Sequence, residues 1–132
     1  MAKRRIPITD GLAAVKTLRA VENGGEGSDR SGSTAFENPT LTTAVRFLLE
    51  DLAERMPGNS VEVRVPLFGA IQCVAGPEHR RGTPPNVAEM DAQTWLQLCL
   101  GEKSVEQALA EGKLVASGTR AMEFAAVLPL VR

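Results

Sequence analysis

The stretch at 38–58, "NPTLTTAVRFLLEDLAERMPG", constrains the chain most. Leu41, Ala44, Val45, Leu48, Leu49, Leu52 and Met56 recur every three or four positions, the spacing of one face of an α-helix. Asn38 offers a cap, Pro39 suits the first helical position, and Pro57-Gly58 stops the run. Such a wide apolar stripe must lie against a second surface. Arg46, Glu50, Asp51 and Arg55 fall off the stripe and are expected on a solvated face.

The following residues supply the partner. "VEVRV" places Val61, Val63 and Val65 on one side and Glu62 and Arg64 on the other, as in a half-buried strand. "GAIQCVAG" is a second strand, joined through "PLF", so the pair is expected to be antiparallel. "NVAEM" adds a short strand before Asp91, which caps a helix through "AQTWLQLCLG" with Gly101 as its stop. In "SVEQALAEG", Ser104 and Gln107 fit a capping box and Gly112 ends the helix. "KLVASGTR" reads as a strand, with Gly118 marking a bulge or a close backbone approach. "AMEFAAVLPLVR" closes the chain as a short apolar helix interrupted near Pro129. This order predicts an α+β domain on an antiparallel sheet.

Upstream, "ITDGLAAVKTLRAV" predicts a helix with Asp10 as N-cap and Leu12, Val15 and Leu18 on one side. "NGGEGSDRSGST" has almost nothing to bury and reads as a flexible linker. The expected division is residues 1–37, helix and linker, and residues 38–132, the compact domain. Deleting residues 1–35 is then expected to change the melting temperature little.

The 132 residues suit one domain, long enough to bury about two-thirds of its unfolded surface. The 15 basic and 16 acidic residues nearly cancel, so no nucleic-acid footprint stands out. "MAKRR" is followed by a proline, not by a long apolar run, which reads as a solvated terminus. A cytoplasmic location without a stable membrane anchor is expected. Cys73 and Cys99 sit among apolar neighbours and read as small hydrophobes. One histidine and two dispersed thiols do not make a usual zinc set, and no cofactor is expected.

"HRRGTPPNV" is the segment with the most chemistry. His79 is adjacent to Glu78, but neighbours on an extended chain point apart, so a general acid-base role is disfavoured. Arg80 and Arg81 match carboxylate or phosphate geometry, and Gly82 permits close approach; alternatively they are solvated or tie the loop to Glu78, Glu89 or Asp91. Pro84 and Pro85 pre-shape the loop either way. Trp95 forms a helical stripe with Ala92, Leu96 and Cys99, which favours core packing over ligand stacking. Met122, Phe124, Ala125, Val127 and Leu128 carry more apolar surface than one narrow face hides. That excess suits a cavity wall, a dimer contact or an enclosed helix.

The ordered run "DAQTWLQLCLG", "SVEQALAEGKLVASGT" and the apolar closing helix resembles the sterol carrier protein family. Residues 38–130 resemble its actinobacterial sterol-carrier-like branch, and "HRRGTPPNV" is similar to that branch's signature. The resemblance implies an SCP2-like α+β fold: a mostly antiparallel five-stranded sheet with helices enclosing an apolar cavity. It implies noncatalytic binding or carriage of a lipid or other acyl-type apolar molecule. Under that reading the ligand contacts are expected at Phe68, Ile71, Arg80, Arg81, Trp95, Phe124 and Leu128. The alternatives are a protein-interaction or dimerisation module with a filled cavity and, less favoured, a small enzyme using His79. No protein partner is identified.

Overall fold

The computed structural model describes residues 5–23, 38–76 and 86–131. Among these, α1 (Ile8–Asn23) and α2 (Pro39–Arg55) precede β1 (Val61–Val65), β2 (Gly69–Cys73) and β3 (Asn86–Met90). Then follow α3 (Ala92–Cys99), α4 (Val105–Ala110), β4 (Leu114–Ser117) and a closing 3-10 helix (Ala121–Val127). The chain is α+β.

The local signals act where expected. The Asn38 carboxamide accepts from Leu41 N–H at 3.0 Å, and Pro39 opens α2. Asp91 accepts from Thr94 N–H at 2.8 Å, and Ser104 and Gln107 close a reciprocal capping box. Each cap satisfies backbone donors that a helix start leaves unpaired. Gly101 (φ 76°) and Gly112 (φ 72°) follow α3 and α4 in the left-handed region that glycine adopts without a Cβ penalty.

The sheet differs from the expected one. Among the described residues it has four strands, in the order β2-β1-β3-β4, rather than five. It is mixed: β1 pairs antiparallel with β2 and β3 antiparallel with β4, but β1 and β3 run parallel. Direction alternates along the chain, yet β3 docks on the free side of β1 instead of beside β2. That placement sets two strands of the same direction next to each other.

α2 is the hub. Leu41, Ala44, Val45, Leu48, Leu49 and Leu52 are buried, and the helix packs against β2, α3, the closing helix and α1. α1 also packs against α2. Ala14, Val15 and Leu18 of α1 belong to the same core, and a Cβ at Gly11 would overlap the Phe47 ring. Phe47 is therefore buried on a side of α2 outside the predicted stripe. Leu12, expected inward, is 46% exposed, and Asp10 lies inside the first turn because α1 starts at Ile8. Asp51, expected in solvent, is buried and ion-paired with Arg55 at 2.8 Å.

Candidate functional site

Among the described residues, two of the open clefts carry most of the partly buried apolar surface. The larger, of about 760 Å³, lies where the end of α3, the start of α4 and the closing helix meet. Met56, Leu98, Val105, Met122, Leu128 and Pro129 supply its apolar wall. Met56, Val105, Met122 and Leu128 are only partly buried although they pack against the core. Their positions are well fixed. The Met56 carbonyl accepts from Val74 N–H at 2.7 Å, and Val105 opens a helix held by the capping box. The tail beyond Leu128 is stitched beneath α3, because Leu130 and Val131 N–H both donate to the Cys99 carbonyl at 2.9 and 3.1 Å. Arg55 Nη2 adds a bond to the Leu130 carbonyl at 3.1 Å.

The charges on this rim are largely paired. Lys103 is bonded to Glu111. Glu123 receives Arg120 Nε and Nη2, both at 2.9 Å; this hydrogen bonding, reinforced by the attraction between the two opposite charges, lowers the Glu123 pKa from its usual value and raises that of Arg120. Arg120 also spans the roots of the 77–85 segment. Its Nη2 donates to the Ala75 carbonyl at 2.7 Å, and its backbone N–H to Asn86 Oδ1 at 3.0 Å. Asn86 Nδ2 in turn donates to the Ser60 carbonyl at 2.9 Å.

The second cleft, of about 510 Å³, runs between the Arg5-Ile6 segment, α2 and the edge strand β2. Leu49, Phe68 and Ile71 provide apolar surface, and Arg5, Arg46 and Glu50 provide charge. Arg46 Nε donates to the Phe68 carbonyl at 2.7 Å. Glu50 Oε1 accepts from the backbone N–H groups of Arg5 and Ile6, both at 3.1 Å.

The expected ligand contacts do not converge on one cleft. Phe68 and Ile71 line the β2 cleft, and Leu128 lines the larger one. Trp95 and Phe124 are fully enclosed in the core. The indole Nε1 of Trp95 donates to the Val45 carbonyl at 3.2 Å, pinning α3 to α2. Arg80 and Arg81, like His79 and the two prolines, lie outside the described residues. Sequence reasoning took Met56 only as a stripe residue of α2 and gave Val105, at the first position of α4, no role. It also assigned Arg46 to a generic solvated face. Only the fold brings that residue next to β2.

Neither cysteine is poised for chemistry. Both are free and buried. Burial pushes the Cys73 thiol up to about 12, and burial with the nearby Asp51 carboxylate pushes Cys99 well above its ordinary value. A reactive cysteine needs the opposite, an environment that favours thiolate. Among the described residues, no group of three or more histidine, cysteine, aspartate or glutamate side chains could hold a metal ion. No described helix is long and apolar enough to cross a membrane.

With this geometry in view, the family model described as "Bacterial SCP ortholog" matches residues 37–130. The chain belongs to this family. The match covers α2 through the closing helix, so the sterol carrier resemblance holds for the whole sheet and both clefts' main walls. α1 and the Arg5-Ile6 segment precede the matched region. Membership in the SCP family is consistent with lipid carriage in general and with a noncatalytic carrier. No curated protein matches the chain.

Proposed function

We propose that this member of the SCP family binds and carries an apolar small molecule, a lipid or acyl-type ligand, without transforming it. The observation that carries the reading is the larger cleft. Met56, Val105, Met122 and Leu128 remain only partly buried around one volume of about 760 Å³. That volume falls within the range of about 300–1,000 Å³ usual for small-molecule sites. An occupant would remove the remaining apolar surface from water, at about 0.8 kcal/mol per methylene buried. Just over half of the lining is helical, with its backbone bonded to itself, so a hydrocarbon would strand few polar groups there. The raised thiol pKa values favour carriage over nucleophilic catalysis at the described cysteines.

Arg80 and Arg81 remain proposed contacts to a polar head group, on the strength of their guanidinium chemistry. The test is native mass spectrometry of protein purified gently from its host. A co-purifying lipid-sized mass, released by organic solvent, is the expected result. Protein that carries no such mass, and takes up none when offered an extract of the host's lipids, contradicts the reading.

A further inference from the structure

The second cleft asks for a different occupant. Among the described residues, β2 is a terminal strand of the sheet and pairs with β1 alone. An edge strand turns alternate N–H and C=O groups away from its one partner, and these need hydrogen-bonding partners of their own. Natural edges are commonly blunted by lysine, proline or inward charges. β2, "GAIQC", contains none of these, and Gly69 and Ala70 leave its backbone thinly covered. Phe68 through Ile71 form one wall of the cleft, with α2 opposite.

We propose that this edge takes an extended, acidic segment of another protein as an added strand. The charge argument comes from Arg5 and Arg46. Arg46 commits Nε to the Phe68 carbonyl, which leaves its terminal nitrogens for a second acceptor. Among the described lining residues the one carboxylate is Glu50, which already accepts two backbone N–H groups, so the two guanidiniums outweigh it. A carboxylate side chain on the incoming strand would meet a planar fork suited to it. Apolar side chains on the alternate positions would lie against Phe68 and Ile71. A bare hydrocarbon fits worse, since it would dehydrate the strand edge and return no hydrogen bonds. The proposal does not depend on lipid carriage.

The probe is a capped heptapeptide alternating valine and glutamate, titrated into the full-length, nitrogen-15-labelled protein. The amides of Gly69 to Cys73 should shift most. Affinity should fall at least tenfold for the valine-lysine peptide and for a valine-glutamate peptide N-methylated at alternate residues. Arg5→Gln, whose guanidinium has no role in the core, should weaken binding about threefold with melting unchanged; Arg46→Gln should do the same. Should Arg46→Gln fail to fold, Arg5→Gln and the three peptides still decide the matter. Shifts absent from Gly69 to Cys73, equal binding of the lysine or N-methylated peptide, or equal binding of decanoate at this strand would each overturn the proposal.

Discussion

The two clefts share α2 or its C-cap as a wall, yet they offer an occupant opposite things. Around the larger one just over half of the lining is helical, Lys103 and Glu123 are each ion-paired, and the element left open is apolar surface. Along β2, among the described residues, the elements open to a further partner are a strand edge and the guanidiniums of Arg5 and Arg46. Apolar area alone does not separate them. What separates them is whether the lining backbone has already spent its hydrogen bonds. A hydrocarbon suits the first surface and a peptide the second.

The severest way to probe this contrast is to remove what both clefts rest on. Trp95→Ala would leave a cavity between α3 and α2 and lose the bond to the Val45 carbonyl. The expected destabilisation is about 3–5 kcal/mol by chemical denaturation, with both binding activities weakened together. An effect confined to one cleft would show that the two are supported separately.

Next is α1, which carries the Arg5-Ile6 wall of the β2 cleft alone. Leu18→Ala should cost about 2–4 kcal/mol. Deleting residues 1–20 should lower the melting temperature clearly, contrary to what the glycine-serine linker suggests. An unchanged melt would return α1 to the status of an appendage.

The head-group idea separates affinity from stability. Replacing Arg80 and Arg81 together by alanine should weaken an acyl carboxylate, each charge-assisted bond being worth about 1.5–3 kcal/mol when shielded. The alcohol of equal length should bind as before in the same calorimetric titration. Equal loss of both ligands, with a lower melt, would assign the arginines to holding the loop.

The smallest effect is confined to alkaline solution. In the unfolded chain the Cys73 thiol ionises near its ordinary 9.0, whereas in the folded protein it is held up to about 12. The folded state therefore binds more protons through this window, and stability falls as pH rises from about 9 towards 12. Melts at pH 8 and pH 10 should fall less steeply for Cys73→Ala than for the unaltered protein. Identical slopes would remove the thiol from the account.

Most of the helical frame was legible because its signals are local. Asn38, Asp91 and Ser104 each act within three residues of themselves, and the stripe of α2 needs no knowledge of its partner. The pairing of β1 with β3 was not legible, since "VEVRV" and "NVAEM" carry no mark of which neighbour they will take. The burial of Phe47 and Asp51 escaped for a related reason: α1 packs over Phe47, and Asp51 lies near Cys99 of α3, both distant in sequence. Of the expected site residues, Trp95 and Phe124 are apolar enough for either a cavity wall or a closed core. The alternatives weighed from sequence included both, and the fold encloses both rings. Leu128 differs from them by its place at the end of the closing helix, where packing is incomplete.

The carrier reading is tested most directly at Val105. This residue is partly buried at the first position of α4, where an aspartate is compatible with the helix start and its dipole. Val105→Asp places a charge on the cleft wall without opening the core. In a fluorescence titration with a long-chain acyl probe, the variant should bind at least tenfold more weakly than the unaltered protein, with melting changed by no more than a few degrees. Undiminished binding by a folded Val105→Asp protein would contradict the claim that this cleft is the ligand's seat.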